Sequence, residues 1–432
     1  MYAKRLRRTP PIIHSLLTIF AMCSLTGCDA WPVPTSDSAA RSRPDQGGEM
    51  PPVRSPVPEE PYDNESFDQA QPATLPDSGE IVIEGTLDYH EDVDIYSLGP
   101  ALAGDRIIVD VTGHDGLNTV AALFDGGQNL IDANDDRSYY GGLIDPYISQ
   151  VLQADTSQLY VGIAISIGRH FASDQGRFDS GSYSIRVRRE PGAALRQARQ
   201  QIVYLDFEGG ASVQIGLEPV VVMNRFSAES ISGRLAGQTD YIAGLVVDFL
   251  NRDLIAFNVV LLDSKHSSPP SDQHSTLYFG NYNADYLGLA DNVDTGNMYL
   301  QQEAIIYSED LALWEALQPS AEEVAQAMAN IAGHELGHLL GLEHNLGSGD
   351  IMATAGSARQ VLEIDATFMR SQLQKDVFQT GFQDEVATLL QNLGPNPASG
   401  GARVRSADVA PQPSSNWRDE QGIPDIPITQ KQ

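Results

Sequence analysis

The chain has 432 residues, of which 20% are charged and 41% are hydrophobic, and its formal net charge is −31. That hydrophobic fraction can form buried cores and excludes a wholly disordered chain, while the length suggests two or three domains. The acidic excess repels phosphate backbones, so we expect no nucleic acid partner. Both cysteines, Cys23 and Cys28, lie near the N-terminus, which excludes a disulfide framework in the folded parts.

Residues 1–27 have the composition of an export signal. Four basic residues precede a mostly apolar run, residues 12–25, that is too short to span a bilayer. The run leads into Leu25-Thr26-Gly27-Cys28, which resembles the lipobox of bacterial lipoproteins. The resemblance implies cleavage before Cys28 and lipidation of its thiol, with an ordinary secretory signal as the alternative. We therefore expect an exported protein that is lipid-anchored to the bacterial cell envelope, and the choice between inner and outer membrane stays open.

Removal of the signal takes away four basic residues and no acidic ones, so the mature net charge becomes −35. The segment that follows, residues 28–77, is rich in proline: residues 32–76 hold 10 of the chain's 25 prolines. Such a segment buries too little apolar surface to fold, so we predict an extended tether. At the other end, residues 395–432 are polar and rich in Pro and Ser, and we predict an unfolded tail.

Residues 78–190 contain short runs rich in Ile, Val and Tyr, separated by turn residues every ten residues or so. This spacing, without helical periodicity, predicts an antiparallel β-sandwich. The clearest runs are residues 81–83, 94–98, 106–111 and 182–187.

Short motifs follow one another in a fixed order through the same region. They are Gly85-Thr86-Leu87, residues 92–96, Ala103-Gly104-Asp105, Leu123-Phe124-Asp125 and Gly181-Ser182-Tyr183. In this order they resemble the bacterial pre-peptidase C-terminal domain, a β-sandwich often attached to secreted peptidases. Here the module precedes the region with the catalytic motif instead of following it, which leaves its role open.

Acidic and amide side chains cluster within residues 125–136 of this region. Hard cations take oxygen ligands from such loops, so the cluster could bind Ca²⁺, although a solvated turn is the simpler interpretation. The side chains concerned are Asp125, Asp132, Asn134, Asp135 and Asp136.

From about residue 200 to residue 394, strand-like and helix-like patterns are mixed. This pattern predicts an α+β domain with a mixed sheet, a long active-site helix and a C-terminal helix. The long helix begins at Ser320, where Glu323 completes a capping box, and breaks at Gly341. Predicted strands are 202–207, 257–262, 276–279 and 304–307, and the other predicted helices are 241–254 and 383–393, the latter stopped by Gly394-Pro395.

The chemistry is concentrated at the end of the long helix. His334 and His338 are four residues apart, so a helix places both imidazoles on one face, where they can bind one ion. Gly341 can turn the chain so that His344 supplies a third nitrogen. Three imidazoles with one open position favour zinc. Glu335 cannot fully share the ligand face and is better placed to contact a water than the metal.

Together these residues read His-Glu-x-x-His-x-x-Gly-x-x-His, which resembles the extended zinc signature of the metzincin peptidases at every position. Met352 lies 8 residues after His344, a separation similar to that of the Met-turn in the matrixin branch. The resemblance implies a zinc peptidase in which His334, His338 and His344 bind the metal.

Departures from the matrixin pattern leave subsite preference and latency open. Residues 353–356 lack the Pro and Tyr that shape the matrixin specificity pocket. They also lack the tyrosine, two residues after the methionine, that is an extra ligand in astacin-like and serralysin-like enzymes. A cysteine switch is not expected, because Cys28 is the sole cysteine after the signal. His266 and His274 do not match the structural zinc site of matrixins.

The predicted function is zinc-dependent endopeptidase activity on extracytoplasmic proteins or peptides. Zinc would lower the pKa of a bound water, and Glu335 would take its proton and pass it to the leaving amine. Residues 288–290 could align the peptide as an edge strand. Two alternatives remain: a surface adhesion or binding lipoprotein with a non-catalytic zinc fold, and a cell-wall peptide amidase. Oligomeric state is not indicated by the sequence.

Overall fold

The computed structural model describes residues 56–59, 64–137, 143–166, 180–216, 218–354 and 357–399, all within one compact unit. The predicted signal, Cys28, most of the tether and residues 400–432 lie outside these ranges. Up to residue 190 the described elements are strands. They are β1 (Val57–Pro58), β2 (Gln71–Pro72), β3 (Gly79–Leu87), β4 (Val93–Ala101), β5 (Arg106–Gly113), β6 (Thr119–Phe124), β7 (Leu130–Asn134), β8 (Tyr147–Val151), β9 (Thr156–Ile165) and β10 (Gly181–Glu190).

These strands form two five-stranded sheets, with strand orders β1-β3-β10-β5-β8 and β2-β4-β9-β6-β7. We call them together the two-sheet body. One hydrophobic core contains side chains of both sheets, among them Ile83 and Ile185 of the first and Tyr96 and Val161 of the second. Antiparallel pairing was predicted and holds for the long strands. The short pairs β1–β3 and β2–β4 are parallel, so each sheet is mixed.

The predicted tether is wrong in its last part. Residues 64–77 are ordered against the two-sheet body: Phe67 and Leu75 are buried, at 8% and 3% exposure. Pro58 and Pro72 belong to two-residue strands at sheet edges, where a missing N–H is tolerated. Proline-rich composition therefore did not exclude folding, because a few apolar side chains find a partner surface formed by later strands.

Strands and helices are mixed after residue 200, as predicted. The strands are β11 (Gln201–Asp206), β12 (Ser212–Val213), β13 (Val221–Val222), β14 (Val259–Asp263), β15 (Ser275–Gly280), β16 (Gly288–Ala290), β17 (Glu303–Tyr307), β18 (Arg370–Gln372) and β19 (Phe382–Asp384). The helices are α1 (Ala228–Ile231), α2 (Thr239–Asp253), α3 (Ala321–Leu339), α4 (Ala358–Glu363) and α5 (Glu385–Leu393), with 3₁₀ turns at Gly233–Leu235, Ser308–Leu317 and Pro397–Ser399. No helix of these described ranges combines the length and apolarity needed to cross a bilayer.

One five-stranded mixed sheet organises this second half, with strand order β14-β11-β15-β17-β16. Its first four strands are parallel, and β16 is an antiparallel edge strand. α2 and α3 pack against each other, and α3 also contacts β16 and β17. Side chains of this sheet and of both helices share the largest hydrophobic core. The helix that carries the metal motif is therefore buried between the sheet and its neighbouring helices.

The start of α3 has the predicted capping box. Ser320 Oγ accepts a hydrogen bond from the Glu323 N–H at 3.2 Å, and the Ser320 N–H donates to Glu323 Oε2 at 2.6 Å. Most element boundaries differ from prediction by one or two residues, and two differences near the end of this half have a structural reason. α5 begins at Glu385, because residues 382–384 pair with β18 as a strand. The folded chain also continues past residue 394, since the Asn396 N–H donates to the Ala256 carbonyl oxygen at 3.0 Å.

Candidate metal centre

Helix α3 brings two predicted ligands together. His334 and His338 lie one helical turn apart on the same face, and their Nε2 atoms are 3.1 Å apart. Both side chains are buried, at 0% and 1% exposure. The interior position follows from the packing of α3 on nearly all sides.

The chain turns sharply after α3. The N–H of Gly341 donates to the carbonyl oxygen of His338, and the N–H of Leu342 donates to that of Gly337, both at 2.9 Å. This pair of hydrogen bonds is a Schellman motif, which ends a helix with a residue in the left-handed conformation. The motif reverses the chain direction within a few residues of the second ligand.

Gly341 is required at this turn for two reasons. Its φ is +95°, and a Cβ would lie 2.7 Å from the Asp294 carbonyl oxygen. The turn brings the His344 ring to 5.3 Å from that of His334 and 4.8 Å from that of His338, measured between centroids. The imidazole rings of all three predicted ligands therefore lie close together.

Each of the three rings has its Nδ1 atom against a fixed acceptor. Such a contact selects the tautomer with hydrogen on Nδ1 and leaves the Nε2 lone pair available as a ligand. One nitrogen from each ring lies within 4.8 Å of the other two, so the cluster could hold a metal ion. The contacts are His334 Nδ1 to Ile351 O at 2.8 Å, His338 Nδ1 to Leu342 O at 2.8 Å, and His344 Nδ1 to Asp376 Oδ2 at 2.9 Å.

The cluster fits a metal chemically. His344 Nε2 is buried without a hydrogen-bond partner, a costly arrangement that a bound cation would remove. Burial, followed by the neighbouring His344, lowers the pKa of His334 to about 3. That ring is therefore neutral at physiological pH, which is the form that binds metals. Three imidazole nitrogens are a donor set suited to Zn²⁺ with an open fourth position.

Glu335 lies on α3 directly after the first ligand and is fully buried, at 0% exposure. Its carboxylate packs against the first residue of the edge strand β16, Gly288. A Cβ at position 288 would be 2.3 Å from Glu335 Oε1 and 2.7 Å from its Cγ. Glycine at the start of β16 is thus what gives the carboxylate its space beside the sheet edge.

Met352 packs beneath the helix between the two α3 ligands. Its side chain is fully buried, and a Cβ on Gly337 would be 2.3 Å from Met352 Sδ. Met352 therefore packs against α3 at Gly337, the residue before His338, where a larger side chain would displace it.

Sequence reasoning missed a buried polar cluster under the Met352 turn. Asp350 Oδ1 accepts a hydrogen bond from the Met352 N–H at 2.9 Å, and its Oδ2 accepts one from Ser371 Oγ at 2.5 Å. Burial and then the Asp350 carboxylate raise the pKa of Glu385 well above its usual range, and burial also raises the pKa of Asp350. The cluster ties the turn to α5. The sequence signal that could have revealed this cluster is an acidic residue, Asp350, two positions before Met352.

Asp376, the acceptor for His344, was also missed. It lies 32 residues after its partner, in the turn between β18 and β19. No local spacing rule connects two such positions, so only the folded chain reveals the contact.

The structure gives the calcium hypothesis no support. Asp125 Oδ1 accepts hydrogen bonds from the N–H groups of Gly127 at 2.8 Å and Asn129 at 2.9 Å, so it shapes a turn. Asn134 Oδ1 accepts the Tyr147 N–H at 2.9 Å. Within the part of the chain that the structure describes, the histidine cluster is the one group of three or more His, Cys, Asp or Glu residues that could hold a metal.

A cavity of about 810 Å³ lies between the two-sheet body and the end of the edge strand. Ala290 of β16 and Glu343, the neighbour of His344, contribute to one wall, and residues of β7 and β8 form another. Acidic side chains outnumber basic ones in its lining: Asp132, Asp135, Asp136, Glu218, Asp291, Asp294 and Glu343 against Arg106 and Arg196.

No protein-family model and no curated protein matches the chain. Among solved structures, it is similar to the pre-peptidase C-terminal domain of a collagenase from Bacillus anthracis, with 18% identity, a TM-score of 0.20 and coverage of 28% of this chain and 94% of that one. It is also similar to archaemetzincin from Methanopyrus kandleri, with 14% identity, a TM-score of 0.23 and coverage of 40% and 88%. An acetyl xylan esterase from Butyrivibrio proteoclasticus matches at 12% identity and a TM-score of 0.14, over 41% of each chain. With TM-scores this low, none of these likenesses assigns an activity.

Two glycines of α3 provide a matched test of the packing around Met352. Gly337→Ala places a Cβ 2.3 Å from Met352 Sδ, whereas at Gly333, one turn earlier, a Cβ makes ordinary van der Waals contacts, 3.5 Å from Ile351 and 3.8 Å from Leu250. We expect Gly337→Ala to lower the free energy of unfolding by about 1–3 kcal/mol through overpacking. Gly333→Ala should be neutral or stabilising by up to about 1 kcal/mol, because alanine favours the helix. Urea denaturation of the two variants measures the difference, and equal stabilities would contradict it.

Proposed function

We propose that the protein is a zinc-dependent endopeptidase. The observation that carries the proposal is the convergence of three buried imidazoles, each with its Nδ1 hydrogen directed to an acceptor, next to a buried glutamate at the edge of a sheet. A metal site with structural function alone would not need a carboxylate in that position. The ligands would be His334, His338 and His344.

When bound, Zn²⁺ would act as a Lewis acid toward a substrate carbonyl and lower the pKa of a water molecule toward neutrality. The protein residues supply the remaining functions. The acceptors of the Nδ1 hydrogens fix the ring orientations, and burial of the rings excludes competing water. Glu335 would accept a proton from the attacking water on its carboxylate and deliver that proton to the leaving amine.

The substrate is proposed to lie along β16. This strand is the antiparallel edge of its sheet, and its outer backbone groups can pair with an extended peptide. Gly288 packs directly against Glu335, so a peptide beside Gly288 would have its backbone close to the proton acceptor. The cavity begins at Ala290, two residues further along the same strand. Substrate residues beyond the cleaved bond would therefore extend toward that cavity.

We propose a metzincin-type catalytic domain in residues 200–394 and a β-sandwich of the pre-peptidase C-terminal type in residues 78–190. The metzincin-type assignment is supported by the mixed sheet, by the helix α3 and by the packing of Met352 against Gly337 of that helix. Two sheets around one common core support the second. The ordered contacts of residues 64–77 extend this second domain toward the N-terminus.

Export and lipidation at Cys28 complete the proposal, on the basis of the lipobox-like residues 25–28. The substrates would then be extracytoplasmic proteins or peptides. A binding lipoprotein or a cell-wall amidase would share the metal cluster, so assays of hydrolysis must include both a protein and peptidoglycan.

Glu335→Ala should abolish hydrolysis of an unfolded protein such as casein by the full-length protein, because Glu335 is the group proposed to accept the proton of the water and deliver it to the leaving amine. Zinc should remain bound at one equivalent, since the three ligands are unchanged. Casein cleavage and metal content, measured on the same preparation, test both expectations. Undiminished cleavage by the variant would refute the peptidase assignment, and peptidoglycan cleavage without casein cleavage would favour the amidase alternative.

Gly288→Ala should lower the rate of casein hydrolysis by about ten-fold or more, because a Cβ 2.3 Å from Glu335 Oε1 displaces the carboxylate. A misplacement of about 1 Å commonly costs a hundred-fold in rate. Bound zinc should stay at the level of the unchanged protein, which separates this effect from metal loss. A variant with full activity would show that the position of Glu335 against β16 is irrelevant to catalysis.

Cys28→Ala should release the protein from the membrane fraction, since the variant has no thiol to carry the acyl chains of the proposed anchor. Incorporation of a labelled fatty acid into the unchanged protein, absent from the variant, is the measurement. Retention of the label by Cys28→Ala would contradict lipidation at this residue.

A further inference from the structure

The chain from Arg370 to Asp384, which we call the docking hairpin, consists of β18, β19 and the turn between them, and it contacts the third histidine. Asp376 Oδ2 is 2.9 Å from His344 Nδ1. The N–H of Gln374 donates to the His344 carbonyl oxygen at 3.1 Å. The hairpin therefore positions both the ring and the backbone of this ligand.

The other two ligands are oriented differently. His334 and His338 direct their Nδ1 atoms to the backbone carbonyl oxygens of Ile351 and Leu342, which lie in the same half of the protein as α3. Backbone carbonyls in a packed turn have little freedom to move. His344 relies instead on a side chain, and that side chain is only as fixed as the hairpin that carries it.

The two-sheet body holds the tip of the docking hairpin. Val377 and Phe378, next to Asp376, are 1% and 0% exposed and share a core with the outer face of the β2-β4-β9-β6-β7 sheet. The Phe378 ring lies 5.5 Å from that of Phe124, edge to face. The ring occupies a space beside Gly162 of β9, which we call the socket. A Cβ on Gly162 would be 2.6 Å from Phe378 Cζ, so the socket requires glycine at this position.

The strands of the hairpin are also tied to the two-sheet body. The Arg370 guanidinium donates to Asn129 Oδ1 at 2.7 Å and to the Gly127 carbonyl oxygen at 2.8 Å. The Phe382 N–H donates to the Gln128 carbonyl oxygen at 3.0 Å. These acceptors form the turn between β6 and β7, so the hairpin is fixed at its tip and at both strands.

We propose that the two-sheet body is a clamp for the metal centre: by seating Phe378 in the socket at Gly162, it holds Asp376 against His344 and so raises the metal affinity of the histidine cluster. The proposal rests on the metal site of the proposed function but not on peptide hydrolysis. It gives the module that precedes the catalytic half a defined role. Asp376 and Phe378 are positioning residues in this scheme.

The decisive variant is Gly162→Ala in the full-length protein, because it changes no residue of the metal-binding half. The added Cβ must displace the Phe378 ring. Loss of a partner that orients a histidine ligand typically weakens metal binding ten- to a hundred-fold. We expect Gly162→Ala and Asp376→Ala each to weaken Zn²⁺ binding by about ten-fold or more, measured by competition with a chromogenic chelator.

A double variant distinguishes the clamp from general destabilisation. If Gly162 acts through Asp376, then Gly162→Ala should add little to the loss caused by Asp376→Ala, because the interaction is already gone. Gly85→Ala is the matched control: a Cβ there is as crowded, 2.4 Å from Tyr183 Oη, but in the interior of the two-sheet body. That variant should keep the Zn²⁺ affinity of the unchanged protein.

Three results would overturn the clamp: unchanged affinity in Gly162→Ala, additive losses in the double variant, or an equal loss in Gly85→Ala. If Gly162→Ala does not fold, Phe378→Leu, which loosens the same socket, replaces it in the single and double variants and decides on the same criteria. Failure of the unchanged protein to bind Zn²⁺ would instead refute the proposed function. If the unchanged protein binds Zn²⁺ tightly and the variants at Gly162 or Phe378 bind it equally well, the clamp is refuted and the proposed function is not.

Discussion

Three imidazoles are held ready to bind one cation when a hydrogen-bond acceptor at the other nitrogen of each ring fixes its tautomer and orientation. Much of the second half of this protein serves that constraint. Ile351 O is provided by the turn after the motif, Leu342 O by the end of α3, and Asp376 by a hairpin far along the chain. The acceptors come from three separate segments, so the cluster depends on how these segments pack and not on the helix alone.

Close packing around the site explains why glycines recur in it. Gly337 leaves room for Met352 Sδ, Gly288 leaves room for the Glu335 carboxylate, and Gly341 combines a positive φ with contact to a neighbouring backbone. Each glycine brings a reactive or supporting group closer than a Cβ would allow. The site is thereby buried and crowded, a setting in which electrostatic interactions are stronger than in water.

The two halves of the protein are linked by a second core, in which Phe378 of one half meets Phe124 of the other. The sequence offered no signal for it, because Val377 and Phe378 are two apolar residues in a polar stretch without periodicity. Similarly, residues 64–77 looked like a tether by composition, yet Phe67 packs on Phe124 and Tyr160 at 5.1 Å. Local composition describes what a segment can bury by itself and does not include surfaces formed elsewhere.

By itself the sequence determined the features that depend on local spacing: the helix that carries His334 and His338 with its capping box, the break at Gly341, and the strands with clear apolar runs. These follow from short-range geometry, since i and i+4 residues share a helix face and alternating apolar runs form strands. Only the tertiary structure decided which acceptors orient the imidazoles, that the carboxyl groups of Asp350 and Glu385 meet under the Met352 turn, and that the two-sheet body holds the docking hairpin. Those contacts join residues that are far apart in the chain, and their pairing is set by the packing of whole sheets and helices.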